Sequence, residues 1–191
     1  MRHFIYFSGK AVTTGNFKDL MKAGRMDIAI HVIIASFFLS HDVRKDTKLH
    51  LVFYGMPDPP KHIEIQIKEG LDISKKDVAN LIKKILYKYK PGKKTEVFPG
   101  CFIEKKSFLN LINELIEEGK TIFILDKRGE DIRKIKIPDN AVFVLGDHEG
   151  LPKKEIKRLK KIAKEISIGP KVYFASQVVA VLNNELDRRG V

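Results

Sequence analysis

Two short apolar runs, Val142 to Leu145 and Glu165 to Ile168, each stop at a glycine, and each is followed by a segment that can form a helix. A glycine at a strand end lets backbone approach a ligand closely, so this pattern predicts a pair of ligand-holding loops about 20 residues apart in the chain. Pro152, favoured in a first helical turn, opens the helix after the first loop. One such loop is also what ordinary backbone punctuation produces; the tandem carries the argument.

Upstream, apolar and polar positions alternate between strand and helix periods. The pattern predicts strands at His3 to Phe7, Leu49 to Tyr54, Ile63 to Ile67, near Glu96, Thr121 to Leu125, Val142 to Leu145 and Glu165 to Ser167. Helices are expected at Met26 to Ser40, Lys75 to Tyr87, Lys105 to Glu118, Lys153 to Ala163 and Tyr173 to Asp187. Strand and helix alternate, so the expected class is α/β, with a largely parallel sheet flanked by helices. The run Ile28 to Leu39 is apolar nearly all round but too short to span a bilayer, and reads as a helix buried in the core or an oligomer interface. No repeat or convincing linker divides residues 1 to 191, which are read as one domain.

Composition adds a partner class. The 36 Lys and Arg against 24 Asp and Glu give +12, and a strongly basic protein favours polyanions through phosphate neutralisation. A lysine- and glutamate-rich surface of the thermophile kind gives a similar balance, and the chain has only Gln66 and Gln177 as glutamines. Two basic clusters stand out, Lys83 to Lys94 with Tyr87 and Tyr89, and Lys153 to Lys164. The lone Cys101, in FPGCF, rules out an intramolecular disulfide, points to a reducing, cytoplasmic setting, and reads as a buried thiol beside a turn. The basic-poor N-terminus resembles an opening strand rather than a signal peptide.

Dinucleotide and P-loop fingerprints are absent, and the six histidines lack the spacing of a metal helix, which argues against a protein metal site.

LDKRGE at Leu125 to Glu130, FVLGDHEGLP at Phe143 to Pro152 and ISIGPKVYFASQVVAVLNNELDRR from Ile166 together resemble the three C-terminal motifs of the SPOUT class of RNA methyltransferases. The segments GRMD, LSHDVR and the central PGCF are similar to one family within it, the archaeal tRNA pseudouridine N1-methyltransferases, which act on position 54 of the T loop. The resemblance implies a SPOUT-like α/β domain with a C-terminal trefoil knot, a homodimer, S-adenosyl-L-methionine as cofactor and a pseudouridine-containing tRNA as partner, with no membrane and no metal. By position it assigns Leu125, Gly146, Ile168 and Gly169 to the cofactor pocket, with Phe174 near the adenine. Where the family often carries a cysteine in the final helix, this chain has valine near Val178, against an essential thiol.

The chemistry selects further candidates. Pseudouridine keeps a proton on N1, so methylating that atom needs positioning and a base. Asp27 is the first candidate, with Arg25 as an orienting or phosphate-binding cation; an aspartate at a helix start is also what the helix dipole favours. Ser40, His41 and Arg44 form an edge that could grip RNA or simply end a solvated helix. Asp147, His148 and Glu149 are open to substrate-facing or loop-shaping roles, whereas Asp126 reads as satisfying backbone groups of its own loop. A ribosomal RNA pseudouridine N1-methyltransferase and a catalytically silent RNA-binding factor are the alternatives to a tRNA enzyme.

Overall fold

The apolar N-terminal run becomes β1 (Arg2–Ser8), and all seven of its residues are buried. A strand covered on both faces is the mark of a central position in a parallel sheet. In the computed structural model, which describes residues 1–191, β1 pairs in parallel with β2 (Thr47–Phe53) on one side and β7 (Ala141–Gly146) on the other. Beyond β7 come β6 (Thr121–Asp131) and β8 (Lys164–Ser167), also parallel. Beyond β2 the direction alternates through β3 (Lys61–Gln66), β5 (Cys101–Glu104) and β4 (Thr95–Phe98). The sheet order is β4-β5-β3-β2-β1-β7-β6-β8.

The period-2 alternation of β1 decides the layers. Phe4 and Tyr6 enter a core shared with α1 (Met26–Phe37), α2 (Val78–Tyr87) and α5 (Ala175–Arg189). Ile5 and Phe7 enter a second core under α3 (Phe108–Glu117) and α4 (Lys153–Ile162). Helices therefore cover both faces, as alternating strands and helices require. α1 is the buried apolar helix; it lies against α5, and Asn183 of α5 donates to the Ala35 carbonyl at 3.0 Å.

Several boundaries differ from the pattern-based reading. The PGCF segment opens an unanticipated strand: Pro99 and Gly100 make the β4-β5 turn, Gly100 has φ +77°, and Cys101 starts β5 with no exposed surface. Burial pushes the Cys101 thiol up to about 12, so it stays protonated and inert. α3 starts at Phe108 rather than Lys105 because Ser107 caps it, accepting from Asn110 N–H at 3.2 Å. α1 ends at Phe37 because Phe38 turns extended and bridges Val43.

β6 is longer than the Thr121 to Leu125 run and breaks in the middle. Its first half pairs with β8 up to Leu125–Ile166; after an irregularity at Asp126 to Gly129, Glu130 pairs with the same Ile166 and Asp131 with Ser167. The β6 chain thus meets β8 twice. At the crossing, a Cβ on Gly129 would lie 2.5 Å from the Ile166 nitrogen and 2.6 Å from the Glu165 carbonyl carbon, so only glycine allows the approach.

Candidate cofactor and substrate site

The break in β6 at Leu125 to Arg128 and the carboxyl ends of β7 and β8 lie side by side, and with the loops that follow β7 and β8 they enclose a cavity of about 600 Å³. Strand ends of an open α/β sheet are where ligands settle, and this volume suits a nucleoside-sized molecule. Its walls are largely apolar, with Leu125, Leu145, Ile166, Ile168 and Val178, while Asp126, Arg128, Asp147 and Lys171 supply charge at the edges.

Each wall has a local cause. Gly146 ends β7 where a Cβ would fall 2.4 Å from the Gly150 carbonyl carbon, so the loop folds back against a bare backbone. Asp147 holds that fold: its side chain accepts from Ser8 Oγ at 2.8 Å and from Glu149 N–H at 2.8 Å, and its carbonyl accepts from Gly150 N–H at 3.0 Å. Ser167 shapes the β8 loop, donating through Oγ to the Gly169 carbonyl at 2.8 Å and accepting from Gly169 N–H at 3.1 Å. Asp126 accepts from Arg128 N–H at 2.9 Å, and that arginine holds its carboxyl below the ordinary carboxylate range. Asp126 and Asp147 therefore do loop-shaping work, while His148 is exposed and Glu149 pairs with Lys10.

Of the residues expected to hold a cofactor, the structure gathers Leu125, Gly146, Ile168 and Gly169 in this one lining. Phe174 is not among them. It precedes α5 in extended conformation, its N–H bonded to Gln177 Oε1 at 3.0 Å, and the residue is 74% exposed. The aromatic in the wall is Tyr173, one residue earlier, whose hydroxyl sits over Gly169. The run KVYF contained both rings, but only the angle at which the chain enters α5 separates them.

Arg25 and Asp27 stand at the start of α1, outside the cavity lining. Arg25 has φ +63°, an uncommon conformation for a residue with a Cβ. Its guanidinium grips Asp27 with two bonds, Nε to Oδ1 at 3.0 Å and Nη2 to Oδ2 at 2.9 Å. Those bonds hold the Asp27 carboxyl below its ordinary range, so it is ionised at neutral pH. The buried Tyr6 phenol lies within electrostatic reach of Asp147 in the glycine loop and of Asp27 and Arg25. Burial first, then the Asp147 charge, pushes the Tyr6 phenol up, so it remains protonated.

The proposed RNA-gripping edge is split. Ser40 and His41 are exposed, but Arg44 is committed inward, donating to Asp187 at 2.8 and 2.5 Å. Arg2 meets the same carboxylate at 2.7 Å, so these arginines fasten α5 to the start of the sheet.

Strand pairing also gathers histidines that are distant in sequence. His62 donates from Nδ1 to Glu104 at 3.0 Å; its Nε2 then accepts from His50 Nδ1 at 2.9 Å, which leaves the buried His50 Nε2 without a donor. His50, His62 and Glu64 bring ligand-type atoms within 4.8 Å of one another, but Lys94 at 2.9 Å and Lys48 at 3.2 Å already hold Glu64. The cluster is a hydrogen-bonded seam between strands and carries a stability prediction. Burial first, then nearby lysines, lowers His3 to about 4, and burial keeps His50 well below its ordinary value. A depressed folded value means stability that is complete above the unfolded value of about 6.5 and is lost as pH falls toward the folded one. For His3 alone the full loss is on the order of 3 kcal/mol. Thermal melts should therefore drop by several degrees between about pH 7 and 5, where carboxylates contribute little; a flat melting temperature across that window would contradict the neutral seam.

A family model described as "Putative SAM-dependent RNA methyltransferase" matches residues 1–191. A protein of Methanococcoides burtonii named tRNA (pseudouridine(54)-N(1))-methyltransferase is 39% identical over 98% of this chain and 96% of its own length. A Methanocaldococcus jannaschii protein of the same name is 34% identical over 100% of this chain and 98% of its own. Among solved structures, the crystal structure of Archaeoglobus fulgidus Nep1 bound to S-adenosylhomocysteine superposes with a TM-score of 0.63 at 14% identity, covering 100% of this chain and 99% of that one. At that identity the likeness is one of fold.

Proposed function

The chain belongs to the SAM-dependent RNA methyltransferase family, and we propose that it methylates N1 of pseudouridine 54 in the T loop of tRNA, using S-adenosylmethionine. The observation that carries this reading is the cavity at the break in β6 and the ends of β7 and β8, built by the three segments that resemble SPOUT motifs. The cavity fits the cofactor: apolar walls suit an adenine and a thioether, and glycine at 146 and 169 lets the Gly150 backbone and the Tyr173 hydroxyl close the walls where a Cβ would clash. When bound, the cofactor supplies an electrophilic methyl group. Leu125, Gly146, Ile168 and Gly169 hold it, and Tyr173 closes over Gly169.

Asp27 takes the N1 proton of pseudouridine, and Arg25 orients the carboxylate through its two bonds. This assignment is supported by the ionised state of Asp27 and by the strained backbone of Arg25, a conformation that recurs at functional positions. Ser40 and His41 offer exposed donors to RNA, with Arg44 held back by Asp187.

Three architectural proposals accompany the reading. Residues 1–191 act as one domain, in line with a single continuous sheet. The C-terminal chain is threaded as a trefoil knot; the double pairing of Ile166 with Leu125 and Glu130 supports this, because it sets β8 against both halves of the β6 loop. The protein works as a homodimer, which would cover the exposed Val172 and Phe174 beside the cavity. No helix is long and apolar enough to cross a membrane, and we place the protein in the cytoplasm with its substrate.

The test is methyl transfer from labelled S-adenosylmethionine to matched T-stem-loop RNAs carrying uridine or pseudouridine at position 54, with mass spectrometry of the nucleosides. Product from the pseudouridine RNA alone is expected. Methylation of neither, with cofactor still bound, would overturn the tRNA assignment and turn the search to ribosomal RNA or a silent RNA-binding role.

A further inference from the structure

The ten residues of α4 include six cations and one acid, and only Leu159 is fully buried. Lys154, Lys157, Arg158 and Lys161 are all exposed, and their spacing of three, four and seven puts them on one stripe of the helix. None of the four has a carboxylate within ion-pair distance, although other exposed lysines do: Lys10 meets Glu149, Lys94 meets Glu64 and Lys105 meets Asp58. Like charges at these spacings repel and destabilise a helix, and no ion pair of these four side chains offsets that repulsion. Lys160, off the stripe, is the α4 lysine that does find carboxylates, Glu165 at 2.8 Å and Asp126 at 3.7 Å.

Topology then separates this cluster from the other basic segment of the chain. α4 adjoins the cavity, which Leu151 and Ile156 line, and exposed Lys127 and Lys171 stand at the same rim. The Lys83 to Lys94 cluster runs from the last turn of α2 through the segment before β4, and α2 packs near β4 and β5 at the far edge of the sheet. Its cations are partly engaged: Lys83 sits 5.0 Å over the Phe17 ring and Lys94 pairs with Glu64.

We propose that the α4 stripe Lys154, Lys157, Arg158 and Lys161 is the docking surface for the phosphate backbone of the substrate RNA, holding it against the mouth of the cofactor cavity. The partner class rests on the RNA methyltransferase reading; the choice of surface rests on the unpaired stripe and its place beside the cavity. Phosphate contacts position a nucleic acid and are sequence-independent, so α4 sets affinity and orientation while the site beside it selects the base.

The experiment measures binding of fluorescently labelled pseudouridine T-stem-loop RNA between about 50 and 200 mM salt. It compares the intact protein, a Lys154→Gln/Lys157→Gln/Arg158→Gln/Lys161→Gln variant, and a control removing the same charge from the far cluster, Lys84→Gln/Lys88→Gln/Lys90→Gln/Lys93→Gln. Every phosphate that a variant no longer neutralises should reduce the slope of log affinity against log salt by about 1. The α4 variant is expected to lose about 3 in slope and at least about tenfold in affinity near 0.15 M salt, with cofactor binding unchanged and KM for RNA raised more than kcat is lowered. The control should keep the wild-type slope. An α4 variant with the wild-type slope, or a control that loses as much, overturns the proposal. Failure is distinguishable from failure of the function: if the intact protein methylates the RNA while the α4 variant binds normally, only the surface is wrong, and if the intact protein binds but does not methylate, the slopes still decide the surface.

Discussion

Asp27→Asn is expected to lower methyl transfer to the pseudouridine RNA by at least about 100-fold, the range for removal of a general base, while S-adenosylmethionine binds with unchanged affinity. Asparagine keeps the shape of the side chain and one acceptor for Arg25, so the start of α1 survives. The lost ion pair is partly exposed, with Arg25 at 38% and Asp27 at 21%, and such pairs are worth at most about 1 kcal/mol. A melting temperature within a few degrees of wild type, beside collapsed single-turnover rates, would separate chemistry from folding. Because Arg25 holds the Asp27 carboxyl below its ordinary range, wild-type turnover should not fall through loss of this base until the pH drops below the usual carboxylate range. Normal turnover in Asp27→Asn would remove the base assignment and leave the carboxylate as a helix-start residue.

Gly129→Ala is expected to destabilise the protein on the order of 3 kcal/mol and to abolish cofactor binding. The added methyl would meet the Ile166 nitrogen at 2.5 Å and the Glu165 carbonyl carbon at 2.6 Å, and backbone atoms cannot step aside by changing rotamer. Relief requires β8 to move off β6, and β8 leads directly into the Ile166 to Gly169 wall of the cavity. Gly92→Ala serves as the comparison: Gly92 has φ +75° but nothing within 4 Å of its added Cβ, so only the backbone cost of about 1–2 kcal/mol applies. Melting curves and cofactor calorimetry on the two variants check this. If Gly129→Ala melts no lower than Gly92→Ala and still binds cofactor, β6 and β8 do not approach as closely as described.

Much of the site was legible in the chain alone. Glycines 146 and 169 end apolar runs, and the structure places both in one cavity wall with Leu125 and Ile168. The resemblance to SPOUT motifs pointed to these positions, and strand-end glycines gave the same loops a physical reason. Less legible were residues whose role depends on a distant partner. Arg44 read as part of an edge that grips RNA or ends a solvated helix, and no local pattern showed that it pairs with Asp187, which lies 143 residues away in sequence. Asp147 read as either substrate-facing or loop-shaping, and only its contacts with Ser8 and its own loop choose the second. The histidines lacked metal spacing along the chain, yet antiparallel pairing of β2 and β3 stacks His50 on His62.

The sequence by itself determined the class of the fold, the opening strand β1, the positions of most helices and the two glycine loops. Each of these follows from local periodicity or from the conformational freedom of one residue type, which act over a few positions. Only the tertiary structure decided that β5 exists beside the Pro99-Gly100 turn, that Tyr173 rather than Phe174 enters the wall, and which basic cluster borders the cavity. Those outcomes depend on strand order and on the angles at which elements meet, and both are set by burial of the two cores between the sheet and its helices rather than by any short stretch of chain.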